Sequence, residues 1–248
     1  MADYVSLGPL VLAGSGEYTP AMDIVDKYVL GLAAGKPVVL IATSCAQEGA
    51  DVMERWEQMG VAHFARLGVE ATPLRIVDNE DADKAEHAGR IAEAGFVWFS
   101  GGSPVYLAQA FHETKSWFAL EQANRGGTAV AGASGGLGVL NANLDMRMPD
   151  APSGPTALGL GAPIRAMAHF DRMEERRPEF IERILGSIEP GQRAVGVDED
   201  TALVWTENDW RAMGHKRVVV YETEGGRTIY QPGDVVKGLP APLRARLD

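Results

Sequence analysis

The sequence predicts an α/β fold, a three-layer sandwich in which helices cover both faces of a mostly parallel central sheet. Through the first 140 residues, short apolar runs alternate with amphipathic segments, the pattern of βαβ units. After residue 190 the pattern changes to closely spaced strands separated by turn residues, which predicts antiparallel strands in the C-terminal third. We predict that residues 1–248 form a single α/β domain.

The predicted parallel strands are apolar runs that end at turn-forming residues. Most of them carry no charged residue, as expected for strands that are buried on both faces. The third strand is the weakest, because Pro73 cannot donate a hydrogen bond to a neighbouring strand. The predicted strands are residues 5–13, 37–43, 71–77, 96–100 and 128–131.

Helical segments follow these strands. Thr19 and Pro20 predict the N-cap and first turn of a helix, and Ser103 and Pro104 predict the start of another. The predicted helices are residues 20–32, 49–67, 81–93, 104–111 and 171–185. In helix 49–67, apolar spacing predicts a buried side made of Val52, Trp56, Met59, Phe64 and Leu67.

The C-terminal part begins with a segment, residues 141–163, that is rich in Gly, Pro and small residues. We predict a long loop there, and long loops in compact domains are often functional. The predicted antiparallel strands are residues 193–197, 201–205, 217–222 and 227–230.

Composition excludes several classes of function. The net charge of −11 argues against binding to nucleic acid or to an anionic membrane surface. Cys45 is the single cysteine, so no internal disulfide can form, and we expect a cytoplasmic protein. We expect neither a signal peptide nor a membrane-spanning helix. We expect no cofactor or metal, and the composition is compatible with a homo-oligomer.

Four turn features come directly after predicted strands: residues 14–17, 44–47, 101–103 and Ser134. The carboxyl ends of parallel strands meet at one edge of a sheet, and open α/β sheets bind their ligands there. The sequence therefore predicts a functional site at this edge.

Ser134 lies in Gly132-Ala-Ser134-Gly-Gly136, a G-x-S-x-G sequence between a predicted strand and a helix. In a nucleophile elbow, a serine occupies such a strained turn, and the N–H of the next residue can stabilise an oxyanion. The alternative interpretation is an ordinary glycine-rich turn that packs closely against a neighbouring strand.

A nucleophilic serine needs a base, and His169 is the best candidate. It follows the long loop, precedes a helix and is flanked by apolar residues. His63 and His87 lie within predicted helices, where we expect surface side chains. His112 ends a helix, and His215 begins a strand beside Lys216 and Arg217, where we expect solvent exposure. A structural role for His169 is the alternative.

Five segments carry a resemblance to a known family. They are Gly14-Ser-Gly16-Glu17, Phe99-Ser-Gly101-Gly102, Gly132-Ala-Ser134-Gly-Gly136, His169-Phe-Asp-Arg172 and Gly196-Val-Asp-Glu199-Asp-Thr201-Ala-Leu203. In this order, they resemble the cyanophycinase and dipeptidase E family of serine peptidases. The resemblance implies a flavodoxin-like fold similar to that of class I glutamine amidotransferases, with serine in place of their cysteine.

The resemblance also implies roles for individual residues. Ser134 would be the nucleophile, His169 the base and Glu199 the acid that orients it, while the N–H groups of Gly102 and Gly135 would form the oxyanion hole. Dipeptidase E-like members instead take the acid from shortly after the serine. In this chain Asp145 and Asp150 stand there, so these aspartates are alternatives to Glu199.

This chain departs from the family pattern at two places. It has Ser134-Gly-Gly-Leu137 where members commonly have Ser-Ala-Gly-Ala, a change that leaves the backbone donors in place. It has Ser103-Pro104 where members often carry an Asn or acidic residue followed by Gln or Thr. The second departure removes a polar side chain, which bears on substrate specificity more than on chemistry.

Two functions of different class are compatible with the sequence. The first is a serine hydrolase that cleaves a small peptide or isopeptide amide, so that its expected partner is a small peptide or amino-acid-derived substrate. The second is a catalytically silent relative that binds a metabolite or partner protein in the same cleft. An α/β-hydrolase esterase that uses His215 fits the antiparallel C-terminal third poorly. Arginines near His169 are candidates to bind a substrate carboxylate. The alternative is that they form ion pairs with acidic neighbours on the predicted helix. The arginines are Arg165, Arg172, Arg176 and Arg177.

Overall fold

Strands and helices alternate along the first 140 residues of the computed structural model, which describes residues 4–6, 8–141, 157–160, 164–188, 190–206, 208–222 and 225–245. Its strands are β1 Tyr4–Ser6, β2 Leu10–Ala13, β3 Val38–Ile41, β4 Ala71–Pro73, β5 Phe96–Phe99, β6 Ala129–Ala133, β7 Ile164–Met167, β8 Arg193–Val197, β9 Thr201–Trp205, β10 Trp210–Gly214, β11 Val218–Tyr221, β12 Arg227–Tyr230, β13 Val235–Val236 and β14 Leu243–Ala245. Its helices are α1 Asp23–Leu32, α2 Ala50–Arg66, α3 Asn79–Ala82, α4 Ala85–Glu93, α5 Pro104–Phe111, α6 Lys115–Arg125, α7 Gly135–Leu140, α8 Phe170–Arg176 and α9 Pro178–Gly186. Short 3₁₀ segments at Pro20–Met22 and Thr43–Glu48 precede α1 and α2.

The largest sheet in the described part of the chain has eight strands in the order β13-β10-β9-β2-β6-β5-β3-β4. The run from β2 to β4 is parallel. Strands β9, β10 and β13 extend it antiparallel from the β2 edge. A second sheet, β12-β11-β8-β7, is antiparallel except for its β7–β8 pair. The predicted fold class, with its mostly parallel sheet and antiparallel C-terminal strands, is confirmed.

Apolar cores lie on both faces of the eight-stranded sheet. Leu12 of β2 belongs to the core that contains Phe111 of α5, whereas its neighbour Val11 belongs to the core that contains Phe64 of α2. Successive strand residues point to opposite faces of a sheet, so one buried strand supplies both cores. This arrangement explains why the parallel strands are continuously apolar.

The buried side of α2 differs from the predicted one. Phe64 is buried as expected, but Met59 is 39% exposed. The buried residues of this helix are Met53, Glu57, Gly60, His63 and Phe64. Glu57 is buried because Arg75 forms an ion pair with it. Val52, Trp56 and Leu67 pack against the cores as predicted. Apolar spacing was wrong for Met59 and missed the polar residues whose long-range partners allow their burial.

His63 corrects a second prediction, because it is buried rather than at the surface. It is 3% exposed, and its Nε2 lies 2.7 Å from Oδ2 of the buried Asp26 on α1. Burial raises the pKa of Asp26, although the hydrogen bond with His63 acts in the opposite direction. The surface expectation was wrong because a helix distant in sequence supplies the partner.

Other differences concern elements that were not predicted, a predicted helix that is divided, and helix capping. The sequence patterns did not predict α6, β7, β10, β13 or β14. Pro178 divides the predicted helix 171–185 into α8 and α9, since proline lacks the N–H that continues a helix. Thr19 does not cap by accepting a hydrogen bond; its Oγ1 donates to the Gly16 carbonyl instead. Ser103 caps α5 as predicted, and its Oγ accepts from the Tyr106 N–H.

Within the described ranges, no helix combines the length and the apolar character that a membrane crossing requires.

Candidate active site

Ser134 lies in the turn that joins β6 to α7. Its φ of 50° and ψ of −109° are unusual for a residue with a side chain, and such backbone strain is typical of functional sites. The Ser134 N–H donates to the Ala13 carbonyl at 3.1 Å, and the Ser134 carbonyl accepts from the Gly138 N–H at 3.0 Å. Hydrogen bonds on both sides of the residue therefore hold this strained turn.

The glycines that follow Ser134 let α7 approach the end of β5. A Cβ at Gly136 would collide with the Phe99 carbonyl oxygen, and a Cβ at Gly135 would collide with the Gly102 carbonyl oxygen. The turn therefore requires glycine at both positions because backbone atoms, which cannot move aside cheaply, occupy the space.

We expect Gly136→Val to impair folding severely, because its side chain would meet the β5 backbone. Thermal unfolding should show a Tm lower by about 10 °C or more, or no soluble protein. The matched control is Gly31→Val in α1, where no atom lies within 4 Å of the added Cβ. A Gly136→Val protein as stable as this control would contradict the close approach.

The side chains of Ser134, His169 and Glu199 form a hydrogen-bonded row. His169 Nε2 lies 2.9 Å from Ser134 Oγ, and His169 Nδ1 lies 2.8 Å from Glu199 Oε1. The His169 side chain is 40% exposed, whereas that of Glu199 is 14% exposed. A carboxylate on Nδ1 favours the tautomer with a proton there, which leaves Nε2 free to accept a proton from the hydroxyl.

The end of β2 holds all three segments of this row. The Ala13 carbonyl accepts from the Ser134 N–H, and the Gly14 carbonyl accepts from the His169 N–H at 3.2 Å. The Gly14 N–H donates to the carbonyl of Thr201, two residues after Glu199, at 2.9 Å. Three backbone hydrogen bonds to two adjacent residues thus bring together segments that are far apart in sequence.

Glu199 has further partners besides His169. Arg172 Nε lies 2.9 Å from Glu199 Oε2, and the Glu199 N–H donates to Asp171 Oδ1 at 3.1 Å. Burial by itself would raise the pKa of Asp171, but hydrogen bonds from Lys216 and from the Glu199 N–H bring it below its ordinary value. Arg172, one of the arginines considered for substrate binding, therefore forms an ion pair with Glu199.

The Gly101–Gly102 loop lies beside Ser134 and is held from two sides. Ser44 Oγ donates to the carbonyls of Ser100 and Gly101, at 2.8 and 2.6 Å. Glu17 Oε1 accepts from the Gly101 N–H at 2.9 Å. Residues 14–17 were predicted to lie at the site, but no role was predicted for Glu17; its position directly after a buried strand was the available signal.

Glu17 is a buried carboxyl group with a raised pKa. It is 6% exposed. Burial raises its pKa above the ordinary 4.5, although the Gly101 N–H and the nearby His169 act in the opposite direction. A raised pKa in the folded state means that Glu17 stabilises the fold most below about pH 4.5 and that this contribution is lost as the pH rises through the folded-state value.

Glu17→Gln should therefore stabilise the protein at neutral pH, since the amide keeps an acceptor for the Gly101 N–H and cannot ionise. We expect the Tm of the variant to exceed that of the wild type at pH 7 and the two to converge near pH 4.5. Glu70→Gln, at an exposed position, is the control. A Tm difference that does not change with pH would refute the raised pKa of Glu17.

A small cavity of about 150 Å³ adjoins the hydrogen-bonded row. Its lining includes Ser134, His169, Gly102 and Gly135. As the first residue of α7, Gly135 has an N–H without an acceptor inside the helix. The cavity therefore brings the proposed nucleophile, base and oxyanion donors to one space.

The remaining predicted residues lie elsewhere. Asp145 and Asp150, the alternative acids, are outside the described residues. His215 is exposed, and the His112 side chain is 48% exposed. His87 is half-buried, with Nδ1 2.8 Å from the Asp81 carbonyl. Arg165 is buried against Gln192 and Ser187.

Comparisons with known proteins agree with this architecture. The model of Peptidase family S51 matches residues 10–213 of the chain. A cyanophycinase from Trichormus variabilis is 23% identical over 226 residues, which cover 86% of this chain and 72% of the relative.

Solved structures are similar as well. The crystal structure of a peptidase from an acI-B1 Actinobacterium superposes with a TM-score of 0.83 at 29% identity, covering 93% of this chain and 97% of that one. A structure from Listeria monocytogenes has a TM-score of 0.63 at 15% identity, covering 84% of this chain and 99% of that one. At this low identity, the second likeness supports the fold alone.

Proposed function

The chain belongs to peptidase family S51 and is a serine-type peptidase, and we propose that it cleaves an amide bond of a small peptide or isopeptide with Ser134 as nucleophile. The observation that carries this proposal is the contact of His169 Nε2 with Ser134 Oγ at 2.9 Å, together with the contact of His169 Nδ1 with Glu199 at 2.8 Å. A serine hydroxyl is a poor nucleophile without such a base, and the base requires an orienting partner.

In the first step, Ser134 Oγ attacks the amide carbonyl carbon while its proton passes to His169 Nε2. The carbonyl oxygen becomes an oxyanion, which accepts hydrogen bonds from the N–H groups of Gly102 and Gly135. Loss of one such donor in other hydrolases costs about 10²–10³-fold in kcat. His169 then gives its proton to the leaving amine, and an ester between the acyl group and Ser134 remains.

In the second step, water hydrolyses this ester with His169 again as base. Glu199 keeps the Nδ1 proton in place and stabilises the imidazolium that forms. Arg172 and the Asp171 carboxylate hold Glu199, and Glu17 holds the loop that carries Gly102. We propose these three as positioning residues.

The net charge argues against two other classes of partner. A net charge of −11 makes a nucleic acid or an anionic membrane an unfavourable partner, whereas a small peptide is met by local groups. The single cysteine is compatible with the cytoplasm as the place of action.

A fluorophosphonate probe with mass spectrometry of the labelled peptides tests this proposal. We expect one modification, on Ser134. Cys45 is the internal control for a cysteine nucleophile: it is buried, and burial raises its pKa to about 11. Iodoacetamide at pH 8 should therefore leave activity unchanged. Absence of labelling at Ser134, or inactivation by iodoacetamide, would contradict the proposal.

A further inference from the structure

Apart from the catalytic groups, the cavity beside Ser134 has an apolar lining. Its remaining lining consists of Pro104, Met167, Ala168, Met173, Phe180 and Ile184. We propose that it receives an apolar side chain of the substrate, that of the residue whose carbonyl carbon is attacked, so that the enzyme prefers peptides with leucine- or phenylalanine-like residues there. This inference rests on the proposed function and names its substrate class.

The size of the cavity agrees with one such side chain. Its volume is about 150 Å³. In another protein, an apolar cavity of about that volume binds one benzene molecule. A leucine or phenylalanine side chain is therefore of a size that the space beside Ser134 accepts.

The distribution of charge disfavours an acidic or basic side chain at this position. In the part of the chain that the structure describes, no Lys, Arg, Asp or Glu lines the cavity. Arg172 forms an ion pair with Glu199, and Arg165 is buried against Gln192 and Ser187. An ionised substrate side chain would lose its hydration without gaining a partner, which is unfavourable.

The position of the lining residues indicates which side of the scissile bond is recognised. Gly102 and Gly135, the proposed oxyanion donors, border the cavity together with Ser134. A side chain on the acyl residue begins two bonds from the attacked carbon, whereas one on the leaving residue begins three bonds away. The acyl residue therefore reaches a cavity next to Ser134 more directly.

Pro104 is one of the residues at which this chain departs from the pattern of the family that it resembles. It begins α5 and lines the cavity, at a position where members of that family often have a polar side chain. The apolar character of the cavity is thus partly a property of this chain.

The test uses α-aminoalkyl phosphonate diphenyl esters that carry the side chain of Leu, Phe, Asp or Arg. Ser134 Oγ attacks phosphorus, phenoxide leaves with the serine proton, and the adduct is counted by intact-protein mass spectrometry. We expect the second-order rate constants for Leu and Phe to exceed those for Asp and Arg by about 10–200-fold. Equal rates, or faster reaction of Asp or Arg, would overturn the inference.

A small fluorophosphonate without an amino-acid side chain separates the two proposals. If it fails to label Ser134, the proposed function is wrong. If it labels Ser134 while the four esters react equally, only the apolar preference is wrong.

A charge substitution provides a second measurement. Met173→Lys adds a cation at the cavity and should lower the Leu-to-Asp rate ratio by about tenfold or more. The control is Leu185→Lys on α9, which packs against the same apolar cluster but does not line the cavity. A ratio that is unchanged in Met173→Lys, or that falls equally in the control, would overturn the assignment of the cavity.

Discussion

Ser134→Ala should abolish amide hydrolysis and leave the fold intact. When a serine and its base act as a unit, loss of the serine costs about 10⁶-fold in kcat. The side chain lies at a cavity, and both of its backbone hydrogen bonds remain in the variant. The measurements are kcat on the peptide that the wild type turns over and a thermal unfolding curve. Undiminished turnover would show that Ser134 is not the nucleophile.

Ser134→Gly is the companion variant, and its comparison with Ser134→Ala measures the backbone strain of the turn. Both substitutions remove the hydroxyl, but only glycine adopts a φ of 50° and ψ of −109° readily. Such strain costs about 1–3 kcal/mol, partly offset by the greater freedom of glycine in the unfolded chain. We expect Ser134→Gly to melt about 2–4 °C above Ser134→Ala. An alanine variant that is equally stable would mean that the turn stores no strain.

Glu199→Gln should reduce turnover by orders of magnitude and change KM little. The amide keeps the shape of the carboxylate but holds His169 in the wrong tautomer and cannot stabilise an imidazolium. A loss of about 10⁴-fold in kcat is the upper expectation for such an orienting carboxylate. Comparison of kcat with KM separates this role from a purely structural one, because the substrate-binding cavity is not lined by Glu199.

The matched controls are Asp145→Asn and Asp150→Asn, the alternative acids after the elbow. If Glu199 orients the base, both should retain most of the wild-type kcat. A severe loss in one of them, with Glu199→Gln near the wild-type value, would place the acid in the segment after the serine. The dipeptidase E-like arrangement would then hold.

Much of the fold was predictable because its signals are local. Continuous apolar runs that end at turn-forming residues mark strands buried between two layers of helices. The strands β8 and β9 lie at the residues predicted from the spacing of turns. Capping is similarly local, as Ser103 on α5 shows. The prediction was wrong where a long-range partner changes which residues can be buried. His63 is inside because Asp26 meets it, and Glu57 is inside because Arg75 does.

The sequence by itself indicated the turn around Ser134, since a serine among glycines between a predicted strand and a predicted helix is typical of a nucleophile elbow. The contacts that require those glycines, with the backbone of Phe99 and Gly102, come from the tertiary structure. The sequence also indicated His169 and Glu199 as candidates. Only the tertiary structure decided that these side chains meet, because His169 is 35 residues from Ser134 and Glu199 is 30 residues from His169 in the sequence. The backbone of Ala13 and Gly14 brings their segments together, and no pattern within those segments encodes these hydrogen bonds. The apolar cavity has the same origin, because α5, β7, α8 and α9 each contribute to a space that none of them forms alone.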